Sequence, residues 1–303
     1  MLGCLLAFGA ACALADCKSS RRPGLVLVLE LDPTAVLAEA PRPELLRRSA
    51  DILRRRLEAA RIEAEVSTPP EREVVRVVLY GQVDAARVKG LLLRPGKLEF
   101  RLVDDRQTLL ANLDAELPDG VVKDTAAYEG PGHQPVKDHH LRATGPRALA
   151  RERLLGFMQQ VPGLEQHVIA LEGREHRGAW EFRTHLLKKE VVLSDAHVAE
   201  ARVVMDEHTG RPDIMVTFTE EGAARFEKAT REHVKERIAI LVEGEVTSTP
   251  IIQEPILGGK VRVSMGGSDL ETALAEATEL ASVLQAGALP ASLRLLEEQH
   301  LGP

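Results

Sequence analysis

Aromatic side chains make up 3% of this 303-residue chain, and none of its three cysteines lies beyond residue 17. The first scarcity argues against a base-stacking or sugar-stacking surface, so the core must be built from Val, Leu, Ile and Ala. The second leaves the body without a disulfide, a thiol nucleophile or a cysteine metal site. After residue 24 no window offers the ~20 consecutive apolar residues that a membrane-spanning helix needs. Positive charge is not in excess: 39 Lys and Arg stand against 46 Asp and Glu, a formal charge of −7. That balance argues against a nucleic-acid partner. No Gly-x-Ser-x-Gly elbow, phosphate loop or dinucleotide fingerprint occurs, so no catalytic or cofactor-binding residues are expected and the chain reads as a non-enzyme.

What is present begins with an apolar, Ala- and Leu-rich segment over residues 1–17, holding Cys4, Cys12 and Cys17. Leu2 to Ala15 has the size of a signal-peptide core. It ends in Leu14-Ala15-Asp16-Cys17, which resembles a bacterial lipobox, although Asp16 stands where a small residue is usual. Cys17 is therefore the lipidation candidate; a cleaved soluble form and an uncleaved anchor are the alternatives. Each exports the body to the periplasmic side of the cell envelope. Residues 18–24 read as a polar tether.

Farther along, Pro43 to Arg61 carries Leu46, Ala50, Leu53, Leu57 and Ala60 on one helical face, and Arg47, Arg48, Arg54, Arg55 and Arg56 read as its solvated side. Val74 to Tyr80 reads as a strand and Asp84 caps a short helix to Leu92. Leu98, Phe100 and Leu102 alternate with Lys97, Glu99 and Arg101, a half-buried strand. Residues 106–146 are rich in Pro and Gly and read as loops; Arg147 to Gln160 reads as a helix. The histidines of the middle region, His133, His139, His140, His167, His176 and His185, lack ligand spacing. Exposed loop histidines are expected there, and no metal site.

The last quarter is the most regular. Thr219 precedes Glu220 and Glu221, an N-cap with an acidic first turn, and Ala223, Phe226, Thr230 and Val234 keep a helical period. Ile238 to Val242 and Glu245 to Ile252 read as a hairpin turning on Glu243 and Gly244. Ser268 and Glu271 have capping-box spacing; Leu270, Leu274, Ala277, Ala281 and Leu284 follow on one face, and Gly287 suits the C′ position. Leu293 to Leu296 is a short strand.

Lys235 to Gly259 and Val283 to Pro303 closely resemble the first periplasmic region of SecD, the auxiliary subunit of the bacterial Sec protein-export machinery. Leu25 to Asp32, Ile52 to Ile62 and Leu98 to Asp104 resemble earlier segments of the same region. The Asp-Leu-Gln-Gly-Gly signature expected before Leu25 is replaced by Arg21-Arg22-Pro23-Gly24. The chain ends at Pro303, where the family string would lead into a second membrane span, so a periplasmic module without its spans is expected.

The resemblance implies an α+β fold: a split ferredoxin-like base over 25–105 and 267–297, an inserted α+β head over 106–266, and a tail over 298–303. It also implies a non-catalytic role in export, with unfolded translocating polypeptide or a Sec translocon membrane subunit as partner and a lipid or anchor at the membrane. The competing readings are a structural envelope lipoprotein and a metal- or ligand-binding module built on the middle histidines.

Overall fold

The computed structural model describes residues 23–33, 40–176, 178–264 and 269–301. Cys17 and the lipobox-like string lie outside them. In chain order the elements are β1 (Pro23–Leu31), α1 (Arg42–Ala59), β2 (Ala64–Ser67), β3 (Val75–Tyr80), α2 (Ala85–Leu93) and β4 (Leu98–Leu102). There follow β5 (Val121–Glu129), β6 (Pro135–Gly145), α3 (Arg147–Met158), β7 (His167–His176), β8 (Ala179–Lys188) and β9 (Leu193–Ser194). The last part holds β10 (Val198–Met205), β11 (Pro212–Phe218), α4 (Glu220–Glu232), β12 (Ile238–Val242), β13 (Glu245–Ser248), β14 (Lys260–Ser264), α5 (Leu270–Ala286) and β15 (Leu293–His300).

A four-stranded antiparallel sheet has the order β15-β1-β3-β2. Its first two strands come from opposite ends of the described chain: Leu25 stands opposite His300 and Leu31 opposite Leu293. One face packs on Leu45, Leu46, Ala50, Leu53 and Leu57 of α1 and on Val88 and Leu92 of α2. The 3.6-residue period puts those α1 positions on a single stripe. Val26, Val28 and Val78 are buried although they point to the other side. There the stems of Gln299, Glu297 and Arg76, their cross-strand neighbours, can cover them.

The second sheet has the order β5-β6-β8-β7-β13-β12-β4-β9. β4, expected with the base, pairs here instead, Phe100 opposite Ile240 and also opposite Leu193. It runs on to Val103, which bridges to Leu187 of β8. That bridge curls β8, β7, β13, β12 and β4 around a small interior of Val103, Ala170, Leu187, Ala239, Leu241 and Val246. Residues 106–146, read as loops, contain the long β5–β6 hairpin. Most of β5 is exposed, so it carries little of the apolar alternation that marks a strand.

A third sheet, β10-β11-β14, lays one face against α5, α4 and the outer side of β4 and β12. Phe100, Phe218 and Phe226 meet edge to face at its centre, with ring centroids 5.4–5.5 Å apart. Half of the six phenylalanines in the chain are spent on this one contact. α5 was expected with the base, but its Ala277, Leu280, Ala281 and Leu284 join this cluster. Its N-cap is Asp269, whose carboxylate accepts from Thr272 N–H at 2.8 Å; Ser268, the expected cap, lies outside the described residues.

Candidate contact surface

The three-stranded sheet buries Ala201, Ile214, Val216, Phe218 and Val263 and turns the intervening residues outward. Register then fixes three cross-strand rows on the open side. These are Glu200–Thr217–Lys260, Arg202–Met215–Arg262 and Val204–Asp213–Ser264. Arg262 is paired with Asp206 at 2.9 Å and Asp213 at 3.8 Å. Neither sign of charge dominates, and half-buried Met215 sits in the middle row. On the opposite, packed side, Met205 of β10 and Leu270 and Leu274 of α5 are exposed large apolar side chains. The sequence pattern had put the two leucines on the buried face of α5.

The turn residues Glu243 and Gly244 join β12 to β13, with φ of 54° and 84° and Val242 opposite Glu245. Two left-handed residues in a two-residue loop make a type I′ turn, whose twist matches that of the strands. The tip does not project freely. The Glu243 carboxylate accepts from Gly96 N–H at 3.3 Å and pairs with Arg94 at 3.2 Å, and its own N–H donates to Lys97 O at 2.8 Å. The turn is docked on the connection between α2 and β4, a structural tie.

A buried ionic network, invisible in the sequence, pins the β5–β6 hairpin. Arg237 pairs with Asp105 through two nitrogens and with Asp138 at 2.8 Å. Tyr128 donates to Asp105 at 2.5 Å, and Arg183 pairs with Asp138. Burial would lower Arg237, but Asp105 and then Asp138 outweigh it and hold the guanidinium above its ordinary value. Burial pushes the Tyr128 hydroxyl up, and Asp105 pushes it further. These residues come from five separate stretches of chain, so no spacing rule could have joined them.

The histidines divide. His133 is exposed, in line with a loop reading, whereas His139 is half-buried in β6 and His140 and His185 are buried in β6 and β8. Strand alternation turned them inward. His185 Nε2 lies 3.0 Å from Glu172. Burial alone would raise Glu172, but His185 and then Arg174 bring its carboxyl down to about 2. Burial, then Arg183, lowers His140. Among the described residues no group of three or more His, Cys, Asp or Glu could hold a metal ion.

Residues 171–291 match the family described as SecDF, P1 head subdomain. The match spans β13, the Glu243-Gly244 turn, the three-stranded sheet and α5. The protein translocase subunit SecD of Magnetococcus marinus is 29% identical over 272 residues, covering 88% of this chain and 42% of its own length. The subunit SecDF of Thermus thermophilus is 35% identical over 174 residues, 56% of this chain and 23% of its own. The chain thus spans less than half the length of either relative. A crystal structure of SecDF in a super-membrane-facing form superposes with a TM-score of 0.56 at 26% identity, over 91% of this chain and 30% of that one. Among the described residues no helix is long and apolar enough to cross a membrane. The mixed α+β architecture is that of SecDF structures, and the described chain corresponds to the first periplasmic region of SecD.

Proposed function

We propose that this chain assists protein export as an extracytoplasmic domain whose head contacts unfolded, translocating polypeptide or a membrane subunit of the Sec translocon. Its work is holding and positioning, without bond chemistry. The observation that carries this is the match of residues 171–291 to the P1 head of protein translocase subunits. The edge of the three-stranded sheet at β10, with Met205 and the Leu270 and Leu274 of α5 exposed beside it on the packed side, supports it. We read β1, α1, β2, β3, α2 and β15 as a split ferredoxin-like base, because that order of elements and the sheet order β15-β1-β3-β2 suit one. The strands between α2 and β15 then form the inserted head, and Cys17 tethers the whole to the bilayer. Mass spectrometry of the mature N-terminus tests the tether: an unacylated end at another residue sinks it.

The head reading is tested in export-active cells by photocrosslinkers at Met215, Thr217 and Leu274 while a secretory protein is trapped in transit. Adducts with the trapped client or with a translocon subunit are expected. No adduct with either defeats the reading and leaves a structural envelope protein that kept the fold.

A further inference from the structure

The outer edge of β10 already holds a peptide-like group. Gln285 of α5 accepts from Ala201 N–H at 2.9 Å and donates through Nε2 to Ala199 O at 3.4 Å. Its carboxamide thereby occupies one donor and one acceptor of the edge, the pattern that a neighbouring strand would use. Backbone direction alternates along a strand, so Val203 also turns its N–H and C=O to this edge. Among the described residues no hydrogen bond fills that position.

The side of the sheet beside this edge is apolar. Ser264 stands opposite Asp213 and Asp213 opposite Val204, so α5 starts at the Met205 end of the sheet and brings Gln285 to the other end. At 100° per residue, Leu274 and Thr278 lie on the same stripe of α5 as Gln285, within about 20°. Leu274 is ~16 Å back along the helix, and Met205 is ~13 Å on from Ala201 along the strand. Met205 shares its side of the sheet with Ala201, which faces the core. Met205 is 48% exposed and Leu274 43%, where the helical pattern alone would bury Leu274.

Other sheet edges are guarded. The exposed side chains of β5 include Lys123, Asp124, Thr125 and Glu129, and those of β14 include Lys260 and Arg262. On β2, Val66 O accepts from Arg54 at 3.3 Å; on β15, Glu297 and Glu298 pair with Arg72 and Lys89. Charge and capping of this kind keep strands from adding. On β10 the charges, Glu200 and Arg202, and the Gln285 cap lie before Val203; from Val203 to Met205 the edge has neither.

We propose that an extended polypeptide docks here as a fourth strand on β10, its alternate apolar side chains resting on Leu274 and Met205. Backbone pairing supplies affinity without a sequence requirement, which suits a partner that is unfolded and varied. Gln285 marks the end of the site, and displacing its amide lengthens it by one hydrogen-bonded pair. This rests on the polypeptide-binding reading above and specifies its place and mode.

The test uses the full chain and a fluorescent ten-residue peptide of alternating valine and threonine, flanked by lysines, with a benzophenone at its centre. Adducts are expected on residues 199–205 and 270–278. N-methylation of the six central residues should weaken binding at least tenfold, and Met205→Lys or Leu274→Lys should weaken it about fivefold. Both side chains are exposed, so the thermal midpoints of these variants should stay near that of the parent. Equal binding of the N-methylated peptide, or no effect of either lysine, overturns the edge proposal. Adducts confined to another surface of the head overturn it too while sparing the polypeptide-binding reading. No binding of this peptide or of an unfolded secretory protein defeats both.

Discussion

Arg56 Nη2 donates to the carbonyl oxygen of Gly287 at 3.1 Å, across 231 residues of chain. The same guanidinium donates to Leu91 O at 3.1 Å, Arg94 O at 2.5 Å and Pro95 O at 3.3 Å. It therefore gathers the end of α2, the connection into β4 and the end of α5, where chain passes between the four-stranded sheet and the rest. Leu289 N–H donates to Pro95 O at 2.8 Å and ties the two passages directly. Among the described residues no carboxylate pairs with Arg56; helix-end carbonyls, at the negative end of the dipole, take its charge. Burial pulls it down to about 10. Arg56→Met should cost ~3–5 kcal/mol, since several carbonyls lose their donor at once. Lysine should recover only part of this, having no planar fork. Urea unfolding of the three proteins checks it; an Arg56→Met loss under 1 kcal/mol would contradict the assignment.

Gly96 closes the same joint. Its φ is 72°, and a Cβ there would stand 2.6 Å from Val283 Cγ1 and 2.9 Å from Arg56 Nη2. Gly96→Ala should destabilise by ~2 kcal/mol or more, left-handed strain adding to the clash. Its damage should overlap that of Arg56→Met, so the double variant should lose less than the sum.

Phe100→Ala should cost ~3–5 kcal/mol, because the ring is fully buried among Phe218 and Phe226. Strand pairing places that loss with β12 and the three-stranded sheet, not with the four-stranded one. Hydrogen exchange should accelerate in Ile214–Phe218 and α4 before it does in β1 and β3. A cycle with Phe226→Leu should show ~0.5–1.5 kcal/mol of coupling; the reverse order of exchange would mean that β4 supports the four-stranded sheet after all.

Glu172 gives the fold an acid limit. Its folded carboxyl titrates at about 2, below the ordinary value of 4.5. A depressed acid binds fewer protons when folded, so its contribution is complete above pH 4.5 and is lost as pH falls through 2. The window is worth on the order of 2–3 kcal/mol. Glu172→Gln should lower the thermal midpoint at pH 7 and flatten its fall between pH 4.5 and 2. An unchanged acid limb in the variant would place the sensitivity elsewhere.

Local chemistry made much of this fold legible. Thr219, Asp84 and the Glu243-Gly244 turn are decided by neighbouring residues, and β1, β4 and β12 by their own apolar pattern. Partnership is different. Nothing in Leu98–Leu102 says that it pairs with residues 238–242, and Arg56 carries the same charge as solvated Arg55 one position before it. Its burial depends on carbonyls that arrive from residues 91–95 and 287. The β5–β6 hairpin is hard to read from sequence because β5 is mostly exposed: of its two strands only Val121, Leu141 and Ala143 join an apolar cluster, and the rest is pinned by the network of Arg237, Asp105 and Asp138. For the contact surface, the exposed Leu270 and Leu274 could be read only as core from the helical period. Their meaning comes from which strand edge α5 lies along.

At the β12–β13 turn, Gly244→Val should cost ~1–2 kcal/mol, because a β-branched residue resists a φ of 84°. Glu243→Ala keeps the turn but strips Arg94 and Gly96 N–H of their acceptor, so it should cost ~1 kcal/mol. Glu243→Asn should sit between the parent and the alanine variant, since Asn tolerates the left-handed region but is too short for Arg94. Thermal melts rank the three, and an asparagine variant below alanine would show that the turn conformation is not what limits stability.

The four-stranded sheet should survive excision of everything between α2 and β15. Its core draws on Leu25, Leu27, Leu29, Leu53, Leu57, Val75, Val77, Val88 and Leu92, with Leu289 and Leu293 the contributions from beyond residue 286. A chain of residues 23–94 joined by a short Gly-Ser linker to 288–301 would restore β15 beside β1. It would lack Gly287 O as an acceptor for Arg56 and the α5 surface that packs on α1. Arg56 would then keep Leu91 O and Arg94 O but lie nearer water, and Arg56→Gln should cost clearly less than in the full chain. Residues 23–105 alone should be far less stable, because β1 would lose the partner that spans Leu25 to Leu31. Circular dichroism and cooperative urea unfolding distinguish the two pieces. If 23–105 alone unfolds cooperatively with the same midpoint as the joined chain, β15 is a decoration on that sheet and the split arrangement is wrong.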